Sequence, residues 1–289
     1  MMMASLRAVI SRWNAISRSH NVPGVALRQT LKGAQLEQAV TTARDAAFDS
    51  MERSWIDRIE AIRQHLLASE ERLASWERPW LAHSPELQAR LRLRPDAGSY
   101  ETSVTIADAC KASKPPSSCR LLLALTRQLR PRSVVEMGTN IGISGVYIAA
   151  GLELNGSGRL VTLEGAPSKA ALAEAKFREL GLRAEIVIGD FALTLRPALE
   201  ELATVELAFI DGFHEGTATL RYHSILKQYA PDGAVLAYDD IRWSKGMARA
   251  WQQVQNDSDV ELALDLGDIG LCVLGRKQRR QPLRLKMSY

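Results

Sequence analysis

A chain of 289 residues with 46% hydrophobic and 24% charged side chains has the balance of an ordinary globular protein, which excludes disorder and fibrous repeats and suits one substantial core with an appendage. No apolar run approaches the roughly 20 residues that cross a bilayer, and Cys110, Cys119 and Cys272 are too few and too unpatterned for a disulfide framework or zinc site, so the setting expected is reducing and cytoplasmic. The net charge is only +4, but basic residues gather at both ends.

Residues 1–36 carry Arg7, Arg12, Arg18, Arg28 and Lys32 without an acid, and Leu6, Ile10, Trp13 and Ile16 share one helical face. An amphipathic helix packed on its own chain or a symmetry mate is expected, with an organelle transit peptide as the alternative. From Ala34 to about Arg94 the spacing of Leu36, Val40, Ala43, Ala47, Met51, Ile59, Ile62 and Leu66 predicts helix, with Trp55, Trp76 and Trp80 available for packing and His65 and His83 lacking metal-ligand neighbours. Residues 95–118, with Pro95, Gly98 and Lys114-Pro115-Pro116, read as a connector.

From Cys119 the pattern changes to short β-rich runs at Ser133–Met137, Leu160–Leu163, Glu185–Ile188, Leu207–Ile210, Ala234–Tyr238, Glu261–Leu264 and Leu271–Leu274. The first five alternate with amphipathic stretches and the last two can pair as a hairpin. The expected fold is α/β: a Rossmann-like, seven-stranded, mostly parallel sheet with helices on both faces, plus an N-terminal helical region. The division is 1–95 helical region serving as lid or oligomer contact, 96–118 connector, 119–276 cofactor-binding domain and 277–289 basic tail.

Ligands of open α/β sheets bind at the carboxyl ends of the strands. After the first run comes Glu136-Met137-Gly138-Thr139-Asn140-Ile141-Gly142-Ile143-Ser144, whose glycines allow a sharp turn and whose following helix offers free N–H groups to a carboxylate. The second run ends in Glu164-Gly165, where the acid can accept from two ribose hydroxyls. The third ends in Gly189-Asp190-Phe191, where Asp190 can take an adenine amine or cap the next helix and Phe191 can cover a ring. A G-x-x-x-G turn followed by these acids favours S-adenosylmethionine over a dinucleotide, which would call for G-x-G-x-x-G.

Residues from about Ser118 to Gly275 resemble the catechol and caffeoyl-CoA type of class I O-methyltransferases, especially bacterial relatives with an Asp-Asp-Ile-x-Trp-Ser segment, here Asp239–Ser244. The resemblance implies that Gly138 and Gly142 line the methionine part of the cofactor, that Ser144 binds its carboxylate, Glu164 its ribose, and that Phe213 covers its adenine. The fourth and fifth runs lead into Asp211-Gly212-Phe213-His214 and Asp239-Asp240, so parallel pairing brings three carboxylates to one rim beside the cofactor, where Mg²⁺ suits an all-oxygen set. In the resembled type the corresponding acids hold a divalent metal that binds vicinal oxygens of the substrate; Asp240 departs from it, since asparagine is usual there. His214 stands where that type commonly has a lysine base, and histidine can do this work near neutral pH. The bland alternatives stay open: Asp240 can cap the next helix or pair with Arg242 or Lys245, and Phe213 and Trp243, a candidate wall of the acceptor pocket, can be core.

The reading is an S-adenosylmethionine-dependent O-methyltransferase for a small-molecule acceptor, using Mg²⁺ and His214, as a homodimer or higher homo-oligomer without a membrane span or nucleic-acid partner. An RNA methyltransferase, suggested by the basic ends, and a non-catalytic binding protein of the same fold are the alternatives.

Overall fold

The β-rich runs and the helices between them form where their periodicity changes. The computed structural model describes residues 27, 30, 32–77, 100–275, 283–287 and 289. Helices α1 (Gly33–Asp45) and α2 (Ser50–Leu67) precede an antiparallel pair, β1 (Arg72–Glu77) and β2 (Tyr100–Thr105). Helices α3 (Ile106–Lys111) and α4 (Pro116–Leu129) then lead to β3 (Ser133–Met137) and α5 (Ile143–Asn155). The alternation continues through β4 (Arg159–Glu164), α6 (Pro167–Leu180), β5 (Glu185–Ile188), α7 (Phe191–Leu202), β6 (Leu207–Ile210) and α8 (Gly216–Tyr229). It closes with β7 (Val235–Tyr238), α9 (Lys245–Gln255), β8 (Val260–Asp265), β9 (Gly270–Leu274) and β10 (Leu283–Lys286).

Local chemistry sets the helix ends. Asp49 and Glu52 exchange hydrogen bonds as a capping box on α2, and Asp190, Glu215 and Ser244 cap α7, α8 and α9. Strand side chains alternate between two cores: Val134, Leu207 and Phe209 face a cluster shared with α1, α2, α4, α5 and α6, whereas Val135, Ala208 and Ile210 face one shared with α7, α8 and α9. Each fully buried Val, Leu or Ile contributes about 1.5–3 kcal/mol. Exposed ion pairs such as Arg44–Asp45 are screened by solvent and add little, so the sheet faces dominate stability.

The mostly parallel α/β sheet is as expected, with one more strand than the sequence suggested. Its order is β10-β8-β9-β7-β6-β3-β4-β5, eight strands rather than seven. Strands β3 to β7 are parallel, β9 runs antiparallel to β7 and β8, and β10, inside the stretch read as a basic tail, adds parallel to β8. The helical expectation to Arg94 fails at Arg72–Glu77, which pairs with Tyr100–Thr105. A partner distant in sequence outweighs local helical spacing. The connector 96–118 likewise holds β2, α3 and the start of α4.

The N-terminal helices share the main core. Leu36, Val40, Ile59 and Leu66 join the cluster of Leu121, Leu122 and Ile148, and Arg127 binds Glu52 at 2.9 Å while the Tyr147 hydroxyl donates to Glu60 at 2.7 Å. Trp55 is half-buried under the Arg58 guanidinium, and His65 is exposed. The three cysteines are free and buried. The basic arm up to residue 26, Trp80, His83, Pro95, Gly98 and the basic stretch 276–282 lie outside the described residues, as does the side chain of Trp76. Among the described residues no helix is long and apolar enough to cross a membrane.

Gly138 has φ +102°, and a Cβ there would meet the Asp211 carbonyl oxygen at 2.3 Å. Gly138→Ala is therefore expected to cost about 1–3 kcal/mol in denaturant unfolding, and an unchanged midpoint would contradict this crossing of the two turns.

Candidate active site

One row of backbone hydrogen bonds defines the site. The residue after each strand donates its N–H to the neighbouring strand: Gly189 to Glu164 at 2.9 Å, Gly138 to Leu163 at 3.0 Å, Asp211 to Met137 at 2.9 Å and Asp239 to Ile210 at 2.9 Å. The carboxyl ends of β5, β4, β3, β6 and β7 thus deliver their turns to one rim. Among the described residues seven non-glycines have positive φ; Lys32, Ala46, Arg130 and Ala203 cap helices, whereas Asn140, Phe213 and Asp240 stand in the turns after β3, β6 and β7. Strain of this kind gathers where a surrounding framework enforces a working geometry.

The glycine turn is supported from below. Glu136 is wholly buried and accepts the hydroxyls of Ser144 at 2.6 Å and Thr162 at 2.7 Å, while Thr139 and Thr162 share a hydrogen bond of 2.6 Å. The side chains of Glu136, Thr139 and Ser144 thus satisfy one another beneath the turn. What the turn offers to solvent is backbone, with Gly142 at φ +90° as the residue before α5. Glu164 is buried rather than solvent-facing: it accepts the N–H of Asn140 at 2.7 Å and of Ala166 at 2.9 Å, and burial raises its pKa against these bonds. Each carboxylate oxygen has two lone pairs, so capacity for ribose hydroxyls remains. Gly165 beside it is exposed. Asp190 does cap α7, accepting from Ala192 at 2.8 Å, and Phe191 packs edge-on to Tyr222 with its ring against Gly212.

On the other half of the rim, Asp211, His214 and Asp239 each offer a ligand atom, all within 4.8 Å of one another. His214 Nε2 lies 3.7 Å from Asp211 and 3.6 Å from Asp240, and its ring stands 6.2 Å from that of Trp243, which is 71% exposed. Burial lowers the His214 pKa more than the acids restore it, and burial together with the charge of Asp239 raises those of Asp211 and Asp240. Arg242, the partner considered for Asp240, is instead bound to Asp265 at 2.6 Å. His223, away from the rim, is buried between the Tyr238 hydroxyl at 2.6 Å and Asp257 at 3.2 Å, a structural role.

Sequence reasoning missed Lys114. Its ammonium is hydrogen-bonded to Asp239 and lies 3.5 Å from Asp211 and 3.9 Å from Asp240. Burial disfavours its charge, but Asp211 and Asp239 outweigh that and hold its pKa above the ordinary value. Arg63 of α2 donates to the Lys114 carbonyl at 2.8 Å, and the Asn140 amide donates to Ala109 at 2.8 Å and Ser113 at 3.0 Å, so both flanks of the lysine are tied down. The only local signal was a charged residue before two prolines, which reads as linker.

Residues 135–241 match a family described as methyltransferase domain. A catechol O-methyltransferase of Mycobacterium tuberculosis is 32% identical over 129 residues, 42% of this chain and 54% of that protein. A catechol O-methyltransferase of Niastella koreensis is 31% identical over 99 residues, 33% of this chain and 44% of that protein. The matched span is thus about half the length of these curated relatives. The SAH-bound methyltransferase structure from Podospora anserina superposes with a TM-score of 0.51 at 16% identity, covering 76% of this chain and 94% of that one, which establishes likeness of fold. The chain is similar to class I O-methyltransferases of the catechol type, as its motifs suggested.

Burial pushes the Glu136 pKa up from 4.5 to about 7. The folded protein then keeps this proton while the unfolded chain releases it, so stability contributed below pH 4.5 is lost as pH rises to about 7. Glu136→Gln is expected to remove a decline on the order of 3 kcal/mol across that window, read from unfolding at a series of pH values. Parallel wild-type and variant profiles would contradict this.

Proposed function

We propose that this chain is an S-adenosylmethionine-dependent O-methyltransferase that methylates a hydroxyl of a small molecule, aided by a divalent cation and by His214 as general base. The observation that carries the reading is the convergence of Asp211, His214 and Asp239 beside the glycine turn. The similarity to catechol O-methyltransferases supports the reaction class. The donor set fits a hard cation such as Mg²⁺: carboxylate oxygens dominate it, and three acids face one ammonium, leaving negative charge to be balanced.

When bound, S-adenosylmethionine supplies the methyl group on its sulfonium and the cation acidifies the acceptor hydroxyl. The backbone of Gly138 to Gly142 and the first turn of α5 would receive the methionine part, Glu164 the ribose, and Gly189, Asp190, Phe191 and Phe213 the adenine end. Asp211, Asp239 and Asp240 would hold the cation, Asp211 also bordering the cofactor, and Trp243 would wall the acceptor. His214, kept neutral by burial, would take the proton from the acceptor hydroxyl. Holding the two reactants in line contributes about 7–11 kcal/mol of barrier reduction in favourable cases.

The same convergence favours a second reading of one residue, in which His214 Nε2 is itself a cation ligand and the proton leaves by another route.

Transfer of labelled methyl to small catechols is expected, lost in chelator and restored by Mg²⁺; full activity in excess chelator would remove the cation from the reading. His214→Ala should slow transfer by about 10² to 10⁴ with partial recovery at high pH. Unchanged Mn²⁺ affinity in that variant supports the base, and a sharp loss the ligand. Glu164→Gln should weaken S-adenosylmethionine binding by about 1.5–3 kcal/mol in calorimetry, and an unaltered affinity would put the ribose elsewhere.

A further inference from the structure

We propose that Lys114 is an internal counter-ion occupying the cation position of the acidic rim, so that a divalent ion enters only by displacing the lysine ammonium. This rests on the reading of that rim as a cation site.

The two cations contend for the same atoms. The ammonium is hydrogen-bonded to Asp239 Oδ2 and lies 3.5 Å from Asp211 Oδ1, and these two residues belong to the group whose ligand atoms converge. A Mg²⁺ ion sits about 2.0–2.1 Å from each carboxylate oxygen it binds, which puts it on or against the lysine nitrogen. Two cations at such separation in a partly dehydrated pocket repel by many kcal/mol, so occupancy is exclusive.

The lysine is built in. Its side chain is only 13% exposed, a costly burial for an ammonium without partners. Its carbonyl is fixed by Arg63 and the preceding turn by Asn140, a residue of the glycine loop itself. Arg242, a cation near in sequence to the acids, is engaged by Asp265 instead. Lys114 thus lets the carboxylates gather before any ion arrives, and it sets a toll on the ion's affinity equal to the contacts the lysine gives up. Because Asn140 also donates its backbone N–H to Glu164, the lysine segment is joined to the ribose side of the site.

The test is Mn²⁺ titration of metal-stripped protein, following free Mn²⁺ by electron paramagnetic resonance, together with amine labelling of the wild type read by mass spectrometry. Lys114→Gln is expected to bind Mn²⁺ at least tenfold more tightly than wild type, and Asp239→Asn to bind it hardly at all. In the wild type, Lys114 should be protected from labelling without Mn²⁺ and become reactive at saturation, a readout that needs no variant to fold. Equal Mn²⁺ affinity in wild type and Lys114→Gln, or Lys114 still protected at saturation, overturns the exchange while leaving the cation site standing. Absence of Mn²⁺ binding in both proteins overturns the cation reading and the exchange with it.

Discussion

The alignment of parallel strands is the constraint on which everything at the rim depends. Met137 pairs with Leu163 and Ile210, Ile210 with Tyr238 and Glu164 with Ile188, so five turns leave the sheet at one level. A slip of one residue would reverse the faces of Val134 and Val135 and at once separate Asp211 from Asp239. Fold and site are therefore specified by the same two-sided burial, and hydrophobic register does the positioning that no local motif could do alone.

That alignment creates a difficulty as well as a site, because carboxylates delivered side by side repel. Two devices relieve it. Lys114 arrives from outside the sheet to share the negative charge, and burial lets Asp211 hold its proton far more readily than a free aspartate. Asp240, at positive φ, stands beside this group, its carboxylate 3.6 Å from His214 Nε2 and 3.9 Å from the Lys114 ammonium. A rim assembled this way carries more negative charge than its own cations balance, which is the state a site needs if it is to attract a hard ion.

Much of this was legible in the sequence. The seven strands called from β-rich runs all occur within a residue or so, and Gly138, Glu164, Asp211 and Asp239 stand at the strand ends where the pattern put them. What escaped depends on contacts between distant segments. Lys114 meets its acids across most of the sheet domain, β1 finds its partner in β2 only after a long excursion, and β10 hides a two-residue alternation, Leu283-Arg284-Leu285-Lys286, beside a basic run. The burial of Glu164 and Ser144 was equally invisible, since a strand-end acid or a helix-start hydroxyl looks the same in sequence whether it faces ligand or neighbour.

Strand β10 also bears on how copies of this protein behave toward one another. By pairing with Leu262–Asp265 it covers the flank of β8 that would otherwise present unpaired N–H and C=O groups. Its Leu283 and Leu285 pack against the core while Arg284 and Lys286 are exposed, a charged selvedge that discourages a foreign strand from extending the sheet. Proteolytic loss of these few residues would strip that guard from β8 and leave its N–H and C=O groups open to pairing with another strand.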